Sequence, residues 1–411
     1  MLGLVLQQVV TRGTLTVIWP NGSTSTYGNG APRATVRIHG RWSAWTIGVK
    51  PDLALGEAYM DGRMTVEDGT IADVLEILIS SVGVGRLPLL VRLERALRHL
   101  WRPIAQFNPA QRARKNVAHH YDLSGALFDL FLDADRQYSC AYFEHPKMTL
   151  EAAQVAKKRH IAAKLKLDRP GLSVLDIGSG WGGLGLDLAR DSKADVLGVT
   201  LSTEQLAMAN SRAQSAGLAE RCRFELADYR AIKGPFDRIV SVGMFEHVGV
   251  IHYDAFFSKV HDLLAPDGVA LLHTIGRTDG PGATNAWTAK YIFPGGYTPA
   301  MSEVAASIER SGLYITDVEV LRLHYAETLK EWRARFRKNW AKAAALYDER
   351  FCRMWEFYLA AAEMSFRYDH LVVFQIQLAK SMDSLPITRD YMLESEQASL
   401  FAVASRANEA A

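Results

Sequence analysis

The run Val174-Leu175-Asp176-Ile177-Gly178-Ser179-Gly180-Trp181-Gly182-Gly183 ends an apolar strand on an acidic side chain and crosses glycines into the helical stretch 184–190. Glycine permits the φ values of such a turn and lets a ligand approach the backbone closely. The arrangement builds a nucleotide-type pocket at the carboxyl end of a parallel strand. No Gly-Lys-Ser/Thr follows, so it is not a P-loop, and Leu184-Gly185 after Gly183 breaks a G-x-G-x-x-G pattern. Two further strand ends add to it. The first reads Gly198-Val199-Thr200-Leu201-Ser202, with Gln205 one turn on, and the second Asp228-Tyr229-Arg230. Dinucleotide dehydrogenases place a carboxylate near the second strand end to hold a ribose. Hydroxyl and amide groups stand there instead, which points to a smaller adenosine ligand, with Asp228 able to accept from an adenine amino group.

A second set of residues suits proton chemistry. Ser241-Val242-Gly243-Met244-Phe245-Glu246-His247-Val248-Gly249 closes a fourth strand, and Leu271-Leu272-His273-Thr274-Ile275-Gly276 lies in a fifth. In a doubly wound sheet, Glu246 and His273 emerge on the same edge as the Asp176 turn. A carboxylate and an imidazole beside an apolar wall position a proton acceptor. With no H-E-x-x-H and no paired cysteines, no metal site is expected. Upstream lies the polar and aromatic strip Gln137-Tyr138-Ser139-Cys140-Ala141-Tyr142-Phe143. Nothing local depresses the Cys140 pKa, so a structural or ligand-lining thiol is expected rather than a nucleophile.

The elements that must position these groups are legible in outline. Thr149 caps a long helix ending near Leu167, before the break at Arg169-Pro170-Gly171. Strands are predicted over 173–177, 195–200, 222–227, 236–242 and 268–274, with helical stretches between them. That alternation implies an α/β class with a parallel, doubly wound sheet. The stretch 313–323 adds one or two late strands, followed by helices rich in aromatic and basic residues such as Trp332, Phe336, Trp340 and Trp355. Residues 1–82 read as a small α+β unit with strands over 15–19 and 34–38, turns at Asn21-Gly22 and Asn29-Gly30, and a helix over 71–80. Residues 83–115 read as a basic amphipathic linker. There Arg86, Arg92, Arg95, Arg98, Arg102, Arg112, Arg114 and Lys115 face a single Glu94, beside leucines at helical spacing. Such a strip suits an anionic membrane surface, or a linker helix packing its leucines on the next domain. A catalytic region over 116–390 and a tail over 391–411 complete the division.

Composition narrows the class. The 411 residues carry a net charge of +2, which gives no argument for nucleic acid. Three scattered cysteines, Cys140, Cys222 and Cys352, make neither a disulfide framework nor a zinc ribbon and suit a reducing compartment. No stretch of about 18 uncharged apolar residues occurs. The N-terminus lacks a basic region and a small-residue cleavage site, so a cytoplasmic protein is expected.

Taken together, these blocks resemble the cyclopropane-fatty-acyl-phospholipid synthases, S-adenosylmethionine-dependent enzymes related to the mycolic acid cyclopropane synthases. The resemblance rests on His120-Tyr121-Asp122-Leu123-Ser124, QYSCAYF, VLDIGSGWGG, GVTLSTEQ, DYR, VGMFEHVG, LLHTIG and KYIFPGG, in order across about residues 115–385. It implies a Rossmann-like methyltransferase domain behind a small N-terminal α+β lipid-binding domain. Tyr138, Ser139, Asp176, Gly178, Gly180, Thr200, Ser202, Gln205 and Asp228 would then line the S-adenosylmethionine site. Cys140, Glu246, His273, Ile275 and Tyr325 fall where the family holds a bicarbonate ion beside the reacting carbons, with a backbone N–H near Ile275 among its ligands. The implied reaction converts the cis double bond of an unsaturated phospholipid chain to a cyclopropane, by an enzyme held peripherally at a membrane surface. The same cationic chemistry serves methyl- or methylene-branching, and a small-molecule methyltransferase or a non-enzymatic lipid carrier are more distant alternatives. A homodimer fits the resemblance, with no interface signature in the sequence.

Overall fold

The computed structural model describes residues 2–82 and 123–409. The basic strip of 83–115 and the block His120-Tyr121-Asp122 lie outside the described residues.

The N-terminal unit runs α1 (Leu2–Val9), β1 (Gly13–Ile18), β2 (Thr24–Asn29), β3 (Arg33–Ile38), α2 (Arg41–Val49), α3 (Pro51–Met60), β4 (Met64–Asp68) and α4 (Ile71–Val82). Its sheet has the order β2-β1-β3-β4, with β1 and β3 parallel. Strict alternation buries Leu15 and Val17 of β1 and Ala34, Val36 and Ile38 of β3 on one face, the period-2 pattern of a half-buried strand. The predicted strands and the helix at 71 lie here; α1, β2, α2, α3 and β4 are additions.

The second sheet begins after the short α5 (Gly125–Phe128) and α6 (Leu150–Lys164). Thr149 caps α6 as predicted, its hydroxyl accepting from the Ala152 N–H. Then follow β5 (Ser173–Ile177), α7 (Gly183–Asp191), β6 (Asp195–Thr200), α8 (Thr203–Ser215), β7 (Cys222–Leu226), β8 (Phe236–Val242), α9 (Tyr253–Leu263), β9 (Leu264–Arg277), α10 (Ala286–Tyr291), α11 (Met301–Ser311), β10 (Tyr314–Leu321), α12 (His324–Lys338), α13 (Trp340–Leu346), α14 (Glu349–Tyr368), β11 (Leu371–Ala379) and α15 (Asp390–Glu409). The order is β10-β11-β9-β8-β5-β6-β7, and β5 pairs parallel with both β6 and β8. Chain direction across the sheet reverses at β5, which opens a crevice beyond its carboxyl end. The β5 core, Val174 to Ile177, is buried on both faces, as a central parallel strand requires.

One strand was missed. None is expected after the stretch 313–323, yet β11 inserts antiparallel between β9 and β10 and makes the sheet mixed. Its nine residues are nearly continuous in burial. Such a run lacks the alternation that flags a strand, and it follows directly on long helices.

Helix α14 joins the two sheets. It packs on α3 and α4 on one side and α12 on the other. Tyr59 donates to Glu356 at 2.5 Å, Tyr368 to Glu76 at 2.9 Å, and the Arg353 Nε to the Met60 carbonyl at 2.9 Å. One apolar core runs from Val36 and Leu75 through Phe131 to Trp332 and Trp355.

Candidate active site

At the β5 end the backbone turns at Gly178, φ +85°, where a Cβ would meet the Met244 Cβ at 2.9 Å. Gly182 opens α7 in the left-handed conformation, and a Cβ there would lie 2.8 Å from the Phe224 ring. Both positions therefore exclude side chains for conformational and steric reasons. The cavity above this turn is lined by Tyr138, Ser139, Asp176, Gly178, Gly180, Thr200, Gln205 and Asp228. Eight of the nine residues expected at the adenosine ligand thus meet in one place. Ser202 is the exception: its hydroxyl caps α8 by accepting from the Gln205 N–H at 3.3 Å, and it does not line the cavity.

Several of these side chains hold one another. The Thr200 hydroxyl donates to Gln205 Oε1 at 2.9 Å. Asp228 takes a two-pronged contact from the Arg230 guanidinium, at 2.8 and 2.6 Å, which fixes its carboxylate plane. The Tyr138 ring stacks on Trp332 with centroids 5.2 Å apart, and its hydroxyl lies 3.0 Å from that of Tyr358. Asp176 is 2% exposed and its Oδ2 has no hydrogen-bond partner. Burial pushes its carboxyl up to about 7. A buried acceptor without a donor fits a ligand that brings one, as the amino group or ribose of an adenosine-linked amino acid does.

A second cavity, of about 740 Å³, opens beside the first. Cys140, Glu246, His273, Ile275 and Tyr325 all line it, so the five residues expected at the reacting carbons are also brought together. Tyr138, Ser139, Gly243 and His247 line both cavities and mark where they meet. From there the larger one continues along Phe293, Phe357, Tyr358 and Phe366 into the N-terminal unit, where Leu6, Val17, Val36, Ile38 and Leu75 form its walls. Its surface is therefore mostly hydrocarbon, the character of a lipid-chain slot, with polar groups at Glu246 and His273 and others, Asp52, Arg277, Asp279 and Asp369, elsewhere on its wall.

The polar end is spare of partners. Glu246 Oε1 accepts from the Ile275 N–H at 2.6 Å, while Oε2 is buried without a hydrogen bond. Burial raises this carboxyl to about 6 against the opposing pull of the Ile275 N–H, its own backbone N–H and the Thr274 hydroxyl. The backbone N–H expected to hold an ion is thus engaged by Glu246. His273, 2% exposed, has Nδ1 3.1 Å from Gln375 Nε2 on β11. Burial, aided by the positive charge of Lys157, holds its imidazole well below the ordinary value and leaves it neutral. A protonated His273 is accordingly disfavoured. Cys140 is buried, its thiol pointing to the Ala141 carbonyl at 3.3 Å, and burial pushes its pKa far above the ordinary range. It does not act as a thiolate.

Sequence reasoning passed over Lys157, Arg136 and His252, and gave no site role to Gln137 or His247 although both stand in the motifs it singled out; all five line the first cavity. Lys157 sits within a helix without local pattern, so only the packing of α6 under the strip 137–143 reveals it.

A Rossmann-like sheet with a glycine turn and acidic and hydroxyl strand ends, met by a deep apolar slot, has the architecture of the S-adenosylmethionine-dependent methyltransferases. Comparison with known proteins narrows this. Residues 108–376 match the family model described as mycolic acid cyclopropane synthetase, and the chain belongs to that family. Residues 4–83 match a model for a domain of unknown function. Cyclopropane-fatty-acyl-phospholipid synthase of Escherichia coli (strain K12) is 37% identical over 87% of this chain and 90% of its own length. Tuberculostearic acid methyltransferase UfaA1 of Mycobacterium tuberculosis (strain ATCC 25618 / H37Rv) is 35% identical over 92% of this chain and 90% of its own. Among solved structures, the mycolic acid cyclopropane synthase CmaA1 complexed with SAH and CTAB is 37% identical. It superimposes with a TM-score of 0.62 over 67% of this chain and all of that one. The protein is an S-adenosylmethionine-dependent methyltransferase of the cyclopropane-fatty-acyl-phospholipid synthase family.

Proposed function

We propose that this enzyme adds the methyl carbon of S-adenosylmethionine across the cis double bond of an unsaturated phospholipid acyl chain and closes a cyclopropane ring. The observation that carries this reading is the meeting of a polar, glycine-floored cavity with a mostly apolar cavity of about 740 Å³ at Tyr138, Ser139, Gly243 and His247. A ligand in the first cavity and a chain in the second touch only there, which sets a transfer geometry.

S-adenosylmethionine supplies a methyl group activated by a sulfonium. Asp176, Gln205 and Asp228 bind and orient it; Tyr138 and Ser139, on the wall shared with the chain, fix the reacting end. Methylation leaves positive charge on the chain, and the ring faces of Tyr325, Phe293 and Tyr358, all on the chain cavity, stabilise that charge. The hydrocarbon lining excludes water that would quench it to an alcohol. A proton then leaves the former methyl group.

The bicarbonate expected here fits Glu246. The orphan Oε2 needs a donor, and a bicarbonate hydroxyl is one that leaves the remaining oxygens facing the chain. Glu246, His273 and Tyr325, with the Cys140 segment behind, would hold it, and it would supply a small base. Glu246, near its midpoint at pH 6, also holds or releases a proton at Oε2.

Residues 1–82 take the role of a lipid-holding module and 116–390 that of the catalytic domain. No helix among the described residues is long and apolar enough to cross a membrane. Peripheral attachment is supported by α1 and α2, whose inner faces line the chain cavity through Leu2, Val5, Leu6 and Ile47. Their outer faces expose Leu4 and the stacked pair Trp42 and Trp45, 67%, 70% and 48% accessible. Exposed tryptophans on the outer face of a helix that walls the chain cavity suit a lipid surface.

Methyl-branching is the second reading, supported by the 35% identity to a relative named a tuberculostearic acid methyltransferase. Mass spectrometry of cis-monounsaturated phospholipid vesicles incubated with enzyme and S-adenosylmethionine separates them. A gain of one CH₂ with loss of the alkene is expected. The same gain with the alkene retained supports branching, and no gain sinks both.

A further inference from the structure

His160 is a buried titratable group that lines neither cavity. It lies on α6, 7% exposed, and both of its ring nitrogens face carboxylates from distant parts of the chain. Nε2 lies 2.6 Å from Glu319 Oε2 on β10, and Nδ1 contacts Glu396 Oε1 on α15. A neutral imidazole carries one N–H, so it donates to one carboxylate and turns a lone pair toward the other. Only the imidazolium donates to both. Burial by itself favours the neutral ring, but the two carboxylates outweigh it and raise the imidazole above its ordinary value.

The surroundings of the ring are unequal. On α6, Lys164 also pairs with Glu319, and beyond it Asp317 of β10 pairs with Arg389. Tyr142, from the strip before α6, stacks on the imidazole with centroids 4.1 Å apart and planes 11° apart. His324 of α12 stacks on Tyr142 in turn, at 4.9 Å, and its Nδ1 accepts from the Phe143 N–H at 3.0 Å. Glu319 therefore keeps a cation, Lys164, when the imidazole loses its proton. Glu396 has no second cation among the described residues, so its contact is the one that fails.

We propose that His160 is a proton-operated latch for α15: the imidazolium, bridging Glu319 and Glu396, docks that helix on α6, and loss of the proton releases it. The start of α15 is anchored separately, by Tyr391, whose hydroxyl accepts from Gln377 Nε2 at 2.6 Å, and by buried Met392. Release therefore acts on the turns that follow. Helix α6 is also the one whose Gln154 and Lys157 donate to Gln137 and Ser139, so the latch closes the fold behind the junction of the two cavities. Because docking tightens the imidazole's hold on its proton, α15 is held fully below about 6.5 and let go as pH rises through the raised value.

Hydrogen exchange of the full chain, read by mass spectrometry from about pH 5.5 to 8.5 on peptides covering 390–398, tests this. Protection relative to the unstructured chain at the same pH is expected to fall about 10- to 100-fold across that range, the worth of one charge-assisted hydrogen bond. Glu396→Gln offers a partner that a neutral ring also satisfies, so its protection is expected to vary less than about threefold. His160→Gln carries no charge at any pH and is expected to show the parent's high-pH protection throughout. Flat protection in the parent, or a fall of equal size in Glu396→Gln, overturns the latch. A fall shared by peptides from β5 and β9 is unfolding of the whole chain and overturns it as well. If His160→Gln fails to fold, the parent and Glu396→Gln decide between them.

Discussion

Glu246 and Asp176 are buried carboxyl groups, each with one oxygen that has no hydrogen-bond partner, and burial sets their behaviour with pH. Glu246 is raised to about 6 by burial. If its ionised form is the active one, kcat/KM falls about tenfold per unit as pH drops below 6 and is flat above it. Glu246→Gln, which keeps the shape but cannot hold a proton reversibly, is expected to lower kcat by about 10²- to 10⁴-fold with little change in S-adenosylhomocysteine affinity. Steady-state kinetics across pH 5 to 8 check both. Asp176 sits at about 7 in the folded chain against an ordinary value of 3.8. Between those values the folded state binds one more proton than the unfolded state, so this residue makes stability decline as pH rises from 4 to 7 and adds no further slope above. Asp176→Asn lacks the decline. Its thermal midpoint, relative to the parent, should climb across that window and then level, while S-adenosylhomocysteine affinity falls. A midpoint difference independent of pH would count against the unpartnered carboxylate.

At the scale of elements, the site depends on a turn more than on any one helix. Gly178 stands at φ +85° with Met244 in the space of its absent side chain. Gly178→Ala is expected to destabilise the fold by about 1 to 3 kcal/mol through left-handed strain and that contact. It also tilts the β5–α7 turn away from the ligand, so S-adenosylhomocysteine affinity falls along with stability. Calorimetry and thermal unfolding of the variant test the two effects together, and Gly217→Ala is the control. Gly217 also has positive φ, but no heavy atom lies within 4 Å of where its Cβ would stand, so it reports strain alone. Strand β11 matters in a different way. By inserting beside β9 it places Gln375 against His273, which orients an imidazole that burial keeps neutral.

For the whole molecule, the chain cavity is shared between two sheets, and α14 locks them together through Tyr59, Tyr368 and Arg353. A chain lying in this cavity would run from the N-terminal unit to Glu246 along mostly apolar walls. Trp42→Ser combined with Trp45→Ser removes the exposed aromatic pair on the outer face of α2. Vesicle co-sedimentation should weaken roughly tenfold, as expected for losing interfacial aromatic area, while S-adenosylhomocysteine affinity in solution is unchanged. Unaltered sedimentation removes this face from the membrane reading.

Much of this was legible in the residues because it is local. A glycine turn after an acidic strand end, hydroxyls and an amide at the next, and Glu246 and His273 at two more are short-range patterns, and a parallel sheet carries every one of them to the same edge. Eight of the nine residues expected around the adenosine ligand do line one cavity; Ser202 went to capping a helix because a serine before a helix serves its own backbone first. What the tertiary structure alone decided depends on contacts far apart in the chain. The placement of β11, the capture of the Ile275 N–H by Glu246, and the seating of Lys157 Nζ against Gln137 and Ser139 arise where segments distant in sequence pack together. The same holds for the slot from Glu246 to Leu75, whose walls come from both ends of the chain. Sequence spacing specifies which side chain leaves each strand end; only close packing determines which of those groups finds a partner and which is left, buried, to meet a ligand.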